Sequence, residues 1–143
     1  MNNIRRTFRK RVREKELYFN ILAASIGVSP TIIGVEISFP KTWWENLPRH
    51  EPVYHIVTQL YPTVLVDVHD KRKYMPDVQR LVSTLHINGV KHGDLSEDNV
   101  VVNEATGECR LIDFGHSSFL SYKTKKKNKE CEKELREVAF FCG

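Results

Sequence analysis

The chain has 143 residues, a formal net charge of +4, 41% hydrophobic residues and 28% charged residues. This length and composition predict one globular domain with an ordinary hydrophobic core. No apolar run approaches the roughly 18 residues that a membrane-spanning helix needs, and the basic N-terminus lacks the apolar core of a cleaved signal. We therefore expect an intracellular protein of the cytoplasm or nucleus that is not secreted. The mild positive charge permits an acidic or nucleic-acid partner without requiring one.

The spacing of cysteines and histidines predicts neither a disulfide framework nor a zinc site. The three cysteines are an odd number, and none of them forms a CxxC pair. This pattern suits a reducing compartment. The histidines at positions 50, 55, 69, 86 and 116 also lack the spacing of metal ligands, and we interpret them as structural or surface residues.

The N-terminal segment predicts a long amphipathic helix over about 3–25 that ends near Gly27. Its first apolar residues, Ile4, Phe8 and Val12, are spaced by four, which places them on one helix face. The first sixteen residues also hold seven Lys or Arg. A solvated helix face is the favoured interpretation of these charges, and binding to phosphate backbones or acidic lipid is the alternative.

Two strands are predicted next. Residues 31–39 are rich in β-branched side chains, and residues 53–61 repeat this character. The loop KTWWENLPRHEP between them holds Trp43 and Trp44, which we interpret as core or lid packing, with a partner surface as the alternative. The segment TVLVDVH after the second strand extends it or opens a short helix.

The clearest helix begins at Pro76-Asp77 and ends at Asn88-Gly89, with apolar residues at i, i+3, i+4 and i+7. After a polar loop, VVVN and ECRLID predict two short strands of a hairpin, joined by EATG. The lysine run over 123–129 predicts a flexible solvated loop, with a nucleic-acid patch or nuclear-import signal as the alternative. A short helix, ECEKELREVAFF, is predicted last.

Two segments carry the residues of a phosphoryl-transfer site. The first is HGDLSEDN, from His92 to Asn99, and the second is the triplet that begins at Asp113. In such a site one aspartate orients the attacking hydroxyl and accepts its proton, while an asparagine and a second aspartate hold Mg²⁺. The predicted hairpin returns Asp113 to the loop. HxDxxxxN, a short hairpin and DFG, in this order, form a specific signal.

In KHGDLSEDNVVV, LIDFG and the preceding helix that ends in LHINGV, the chain resembles the protein kinase-like superfamily. The HGD variant is similar to small atypical kinases, such as the kinase subunit of the KEOPS tRNA-modification complex, the RIO kinases and the aminoglycoside-type phosphotransferases. The resemblance implies ATP and Mg²⁺ as cofactors, Asp94 as the catalytic aspartate, and Asn99 and Asp113 as metal ligands. Asn99 and His92 complete the catalytic set, with His92 bracing the loop against the DFG backbone.

The resemblance extends to both sides of these motifs, over about 14–120. HIVTQLY resembles the strand that leads into the kinase hinge, which implies that Thr58 guards the pocket behind the adenine. The backbone of Gln59 and Tyr61 would then face the adenine edge. ELYFNILAASIGVSP resembles the helix that carries an ion-pairing glutamate, with Glu16 in that place, and a solvated helix glutamate is the alternative interpretation.

Several kinase elements are missing from the sequence. A GxGxxG loop is absent, and no predicted lysine-bearing strand precedes the helix with Glu16. Lys10 is excluded as its partner because the predicted helix carries both residues. Gly93 replaces the arginine of HRD, so control by activation-loop phosphorylation is not expected. Only 28 residues follow Gly115, which is too few for a large helical subdomain.

We therefore predict an α+β, truncated kinase-like fold formed by residues 1–143 as a single domain. A reduced N-lobe part, about 1–61, has one helix and two strands, and a minimal helical C-lobe part, about 62–143, carries the catalytic loop. The leading hypothesis is an ATP- and Mg²⁺-dependent atypical Ser/Thr kinase that acts on a protein hydroxyl. The alternative is a weak or inactive pseudokinase lobe that binds a partner kinase or regulatory complex. A nucleic-acid-associated protein that uses the basic segments ranks behind both.

Overall fold

The computed structural model describes residues 6–39 and 52–143, which form an α+β fold of the predicted class. Three small antiparallel sheets combine with three helices in these ranges. In chain order the elements are β1 (Thr7–Val12), α1 (Glu14–Ser25), β2 (Ile32–Ser38), β3 (Val53–Gln59), β4 (Thr63–Val64), α2 (Met75–Ile87), β5 (Val90–Lys91), β6 (Val100–Asn103), β7 (Glu108–Leu111), β8 (Ser118–Phe119) and α3 (Thr124–Cys142).

The first sheet has the order β1-β3-β2, with β3 in its centre. In the register of β1 and β3, Phe8 lies opposite Thr58 and Lys10 lies opposite Ile56. Side chains alternate between the two faces of a strand, so these four residues share one face. Arg9 is on the other face, where its Nε lies 2.8 Å from a carboxylate oxygen of Glu36.

The helix predicted over about 3–25 is wrong in its first half, because residues 7–12 form β1 and the helix begins only at Glu14. Phe8 and Val12 are four apart, which fits a helix, but they also stand two positions on either side of Lys10, which fits a strand. Pairing with β3 decides between these periods. Residues 1–5 lie outside the described ranges. The described residues of the N-terminal part therefore form three strands and one helix, one strand more than expected.

The strands predicted over 31–39 and 53–61 are confirmed as β2 and β3. The segment TVLVDVH does not extend β3, because β4 pairs with β6 in a different sheet, but it does open a short helix, a single 3-10 turn at Leu65–Asp67. The loop with Trp43 and Trp44 lies outside the described residues.

In the C-terminal part, the predicted helix is confirmed as α2 and the predicted hairpin as β6 and β7. The short pair β5 and β8 was not predicted. The lysine run, expected to be a flexible loop, is instead helical, because α3 starts at Thr124 and runs for 19 residues. Lysine is a good helix former, and no Pro or Gly interrupts the run before the apolar stripe that docks α3.

One hydrophobic core connects the two parts. Phe19 and Ala23 of α1 belong to the same buried cluster as Leu85 of α2 and Val138 of α3. The backbone adds a link, since the Leu111 N–H donates to the Val28 carbonyl at 2.9 Å. The hairpin that precedes Asp113 is therefore fixed against the end of α1. No helix within 6–39 or 52–143 combines the length and apolar character needed to cross a membrane.

Candidate active site

His92 is the first residue of the loop that carries the motif, and its side chain is fully buried. Its Nδ1 accepts the Asp94 N–H at 3.2 Å, and its Nε2 lies 2.8 Å from the Ile112 carbonyl oxygen. A backbone N–H can only donate, so Nε2 carries the ring proton and donates to Ile112. Burial lowers the pKa of His92, against the opposing effect of this hydrogen bond. The neutral ring thus ties the loop to the backbone beside Asp113.

Asn99 shapes the other end of the loop. Its Nδ2 donates to the Asp94 carbonyl oxygen at 2.7 Å and to Oδ2 of the same residue at 3.2 Å. Its backbone carbonyl accepts the Ile112 N–H at 2.9 Å. The amide nitrogen is engaged as a donor in both side-chain contacts, which leaves the amide oxygen of Asn99 available as a ligand.

Within the described ranges, Asp113 is the one non-glycine residue with a left-handed backbone, at φ +63°. Aspartate tolerates this region better than most side chains, and such strain concentrates at functional sites. Its neighbour Phe114 is fully buried, with its ring centroid 5.1 Å from that of His92. The Gly115 N–H donates to Asp113 Oδ1 at 3.3 Å. The two residues that follow Asp113 thus hold it in place, one by burial and the other by a hydrogen bond.

The exclusion of Lys10 as a partner of Glu16 is wrong. Lys10 lies on β1, outside the helix, and its Nζ is 2.7 Å from Glu16 Oε2 and 3.5 Å from Asp113 Oδ1. Burial opposes the lysine charge, but the hydrogen bond and charge of Glu16, with a smaller effect of Asp113, raise the pKa of Lys10. A strand, a helix and the DFG triplet therefore meet at one ammonium group. The alternating Phe8-x-Lys10-x-Val12 pattern was the sequence signal for this strand.

Glu134 is a site residue that sequence reasoning missed. It is 4% exposed, and its carboxylate accepts the His92 N–H at 3.1 Å and the Gly93 N–H at 2.9 Å. His86 Nε2 lies 2.8 Å from the same carboxylate. Burial disfavours the charge, but the hydrogen bonds from His86, Gly93 and His92 outweigh it and lower the pKa of Glu134. The available signal was a glutamate in line with Val138 and Cys142, on the buried stripe of α3.

Gly93 has a steric role that its comparison with arginine did not reveal. Its φ is +88°, and a Cβ at this position would overlap the carbonyl oxygen of His116. The segment after the Asp113 triplet thus packs directly on the loop that begins at His92. Ser117 reinforces the contact, since its Oγ donates to the His92 carbonyl at 2.8 Å.

The three residues predicted to contact or guard the adenine pocket lie at the end of β3 or just after it. Thr58 shares the sheet face of Lys10, as the register shows. The Gln59 N–H donates a hydrogen bond to the Thr31 carbonyl at 2.9 Å. The Tyr61 hydroxyl is 3.4 Å from Glu108 Oε2, which fixes the ring against the β6–β7 hairpin. Burial raises the pKa of Tyr61.

The residues at the site suit magnesium better than a metal held by protein ligands alone. The described residues include no group of three or more His, Cys, Asp or Glu arranged to hold a metal ion. Mg²⁺ beside a nucleotide usually takes one or two carboxylates and completes its shell with phosphates and water. The Asp113 carboxylate and the Asn99 amide oxygen are hard ligands of this kind, so the donor set fits the ion.

The sequence matches known kinases. A family model described as the protein kinase domain matches residues 49–135, more than half of the chain. Serine/threonine-protein kinase chk1 of Schizosaccharomyces pombe is 31% identical over 67 residues, 47% of this chain and 13% of the relative. The 3-deoxy-D-manno-octulosonic acid kinase of Xylella fastidiosa is 29% identical over 70 residues, 49% of this chain and 28% of the relative. The matched stretches thus cover less than a third of either relative.

The fold also matches a solved kinase. The structure of the Cydia pomonella granulovirus kinase PK-1 is similar with a TM-score of 0.61 and 16% sequence identity, over 84% of this chain and 46% of that chain. This likeness confirms the truncated kinase-like α+β fold. The match of the family model over more than half of the residues adds the sequence relationship, and the chain therefore belongs to the protein kinase domain family.

Proposed function

We propose that the chain is an ATP- and Mg²⁺-dependent phosphotransferase, an atypical Ser/Thr kinase that transfers the γ-phosphoryl group to a protein hydroxyl. The observation that carries this proposal is Lys10, which contacts both Glu16 and Asp113. Kinases require a lysine–glutamate ion pair and a correctly placed DFG aspartate together. An ammonium group in contact with both carboxylates supports a site that is already assembled.

In this proposal the residues of the loop handle the acceptor. Asp94 orients the acceptor hydroxyl and takes its proton, while the Asn99 Nδ2 contacts at 2.7 and 3.2 Å hold Asp94 in place. Lys10, oriented by Glu16, binds the phosphates of ATP. Asn99 and Asp113 hold the magnesium ion, which neutralises charge on the phosphates when it is bound.

The remaining assignments follow the same proposal. Thr58 lies behind the adenine, and the backbone of Gln59 and Tyr61 contacts its edge. The parts over about 1–61 and 62–143 act as one minimal domain, an idea supported by their shared core and the Leu111–Val28 hydrogen bond. An intracellular setting, where ATP is available, belongs to the proposal as well.

A second candidate is a weak or inactive kinase lobe that binds a partner kinase or regulatory complex. The favouring observation is the edge position of β1, the strand that carries Lys10. No other strand of the described residues pairs with its outer side, and the sequence has no GxGxxG loop to cover bound phosphates. Loss of one preorganised donor typically costs about 10²–10³ in rate.

Transfer of labelled phosphate from ATP to model protein acceptors tests both candidates. We expect activity in the wild type, with losses of about 10²-fold or more in Asp94→Asn, Asp113→Asn and Lys10→Met. Asparagine is preferred at position 113 because it also tolerates a left-handed backbone. Arg9→Met is the matched control, since Arg9 neighbours Lys10 but lies on the opposite sheet face.

A thermal shift with Mg²⁺-ATP separates the candidates further. Ligand at about 100 times its Kd stabilises the folded state by about 2.7 kcal/mol. Binding without transfer supports the second candidate. Transfer that survives unchanged in Asp94→Asn and Asp113→Asn would contradict the phosphotransferase proposal, and absence of both binding and transfer would contradict the site as a whole.

A further inference from the structure

The start of α3 is a concentrated cationic surface that the proposed reaction does not use. From Phe114 to Lys129 the chain has five lysines and no Asp or Glu. All five are exposed, and no carboxylate in 6–39 or 52–143 lies within 4.0 Å of their ammonium groups. By contrast, Lys91 and Lys133 nearby pair with Glu130 and Glu137. The five lysines therefore form no ion pair of their own within the described residues, and the carboxylate beside them, Glu130, is paired with Lys91.

Three exposed aromatic side chains precede or adjoin these lysines. Tyr122 is 90% exposed, Phe119 is 59% exposed and Tyr18 is 52% exposed. The ring centroids of Tyr18 and Phe119 are 6.0 Å apart. A ring as exposed as that of Tyr122 adds almost nothing to the core, but it offers a flat face on which a nucleic-acid base can stack.

We propose that this aromatic–lysine surface, defined by Phe119, Tyr122 and the lysines at 123, 125, 126, 127 and 129, binds single-stranded nucleic acid. Lysines neutralise backbone phosphates, and exposed rings stack on unpaired bases whatever their sequence. The combination of both groups within eleven residues supports this partner class. The inference is independent of phosphoryl transfer and is tested without ATP.

Two other polyanions fit the surface less well. A helix that lies on a membrane needs an apolar face opposite its charges, but the segment Lys123–Lys129 has no apolar residue. The acidic side chains of a peptide would pair with the lysines but offer no aromatic ring to stack on Tyr122 and Phe119. Single-stranded nucleic acid uses both features.

The position of the surface connects it to the candidate active site. β8, which includes Phe119, pairs with β5, where Val90 lies opposite Phe119 and Lys91 opposite Ser118. Lys91 immediately precedes His92 in the sequence. A nucleic-acid strand bound at the surface is therefore held next to the segment that enters the catalytic loop.

Fluorescence anisotropy with labelled oligouridine and the whole chain tests the proposal. Five lysine contacts predict a slope of about −3.5 in log K against log salt, or roughly 100-fold weaker binding from about 50 to 200 mM salt. The triple variant Lys125→Gln, Lys126→Gln, Lys127→Gln should reduce this slope by about 2. Tyr122→Ser should weaken binding by about 10-fold with an unchanged slope.

The triple variant Arg72→Gln, Lys73→Gln, Arg80→Gln is the matched control, because it removes the same charge elsewhere. Arg72 lies beside Phe141 and Cys142 at the opposite end of α3. Absence of binding at low salt overturns the proposal, as does an equal loss in the control. Equal binding of poly-glutamate or of vesicles with anionic lipid, with no effect of Tyr122→Ser, also overturns it, because these results mean unspecific attraction to polyanions.

Discussion

The catalytic-loop region and the N-terminal sheet hold their site residues in different ways. His92 is fully buried and Glu134 is 4% exposed, and both make several hydrogen bonds to backbone groups. The side chains of Lys10 and Asp113 are 39% and 37% exposed and meet through charge. Loss of a buried partner leaves groups that water cannot reach, whereas water replaces an exposed partner at low cost. The loop region should therefore dominate stability, while the exposed charge contact of the sheet should add little to it.

Removal of Glu134 is expected to have the largest effect on stability. Glu134→Ala leaves the His92 and Gly93 N–H groups and the His86 ring without their acceptor, which should cost about 3–5 kcal/mol of unfolding free energy. Urea denaturation measures this change. Glu132→Ala, on the exposed side of the same helix, should stay within about 0.5 kcal/mol. Similar losses in the two variants would contradict the anchoring role of Glu134.

The second largest loss of stability is expected when a methyl group is added at Gly93. Gly93→Ala adds a clash with the His116 carbonyl to the strain of a positive φ, and we expect a loss of about 3 kcal/mol. Gly107→Ala isolates the strain, because Gly107 has φ +76° but no atom within 4 Å of its added Cβ. This control should lose about 1 kcal/mol. Equal losses would mean that the contact with His116 is unimportant.

Mild acid should destabilise the protein through His92. Its pKa in the folded state is below the usual 6.5, so the unfolded chain binds the proton first as the pH falls. The stabilisation is therefore complete above about pH 6.5 and is lost as pH falls toward the folded pKa, with a slope of at most about 1.4 kcal/mol per pH unit. Denaturation midpoints between about pH 7 and 5 measure it.

Two variants test whether His92 causes that loss of stability in mild acid. His92→Asn should flatten the pH dependence, while His69→Asn, at an exposed position, should leave it unchanged. Glu134 acts in a separate window, because its pKa is lowered from 4.5 and its stabilisation is lost only as the pH falls below that value. A pH profile that is the same in wild type and His92→Asn would refute the role given to His92.

The smallest change in stability is expected at Lys10. Lys10→Met removes a half-exposed ion pair and should change the unfolding free energy by less than about 1 kcal/mol. On the proposed function, the same variant should lose the thermal shift produced by Mg²⁺-ATP. A large loss of stability in Lys10→Met would remove the distinction between the two regions.

The sequence predicted the C-terminal region better than the N-terminal one, for a physical reason. The loop from His92 to Asn99 and the Asp113 triplet are contiguous motifs, and the helix and hairpin around them have a single clear periodicity. In β1, by contrast, the spacing of apolar residues fits both a helix and a strand, and pairing with β3, more than 40 positions away, decides the outcome.

Two contacts of the site could not be predicted from the motif itself, although the buried stripe of α3 places Glu134 in the interior. Glu134 and Ser117 touch the loop through the fold, and neither belongs to the motif that the sequence displays. The helical start of α3 was missed because a run of like charges is typical of solvated loops, whereas Leu135, Val138 and Cys142 dock the helix from its other end. Tertiary packing overrode the local signal in each case.

The hydrogen bonds of His92 also bear on the order of folding. They join it to Ile112, Ser117 and Glu134, which lie 20, 25 and 42 positions further along the chain. Contacts of such separation form late, because the entropy of closing each loop must be offset first. A nascent chain that has emerged only as far as the DFG triplet therefore holds the complete motif and Ile112, but it still lacks the contacts of Ser117 and Glu134. The last of these contacts, the Glu134 carboxylate that accepts the His92 and Gly93 N–H groups, becomes available only when α3 emerges.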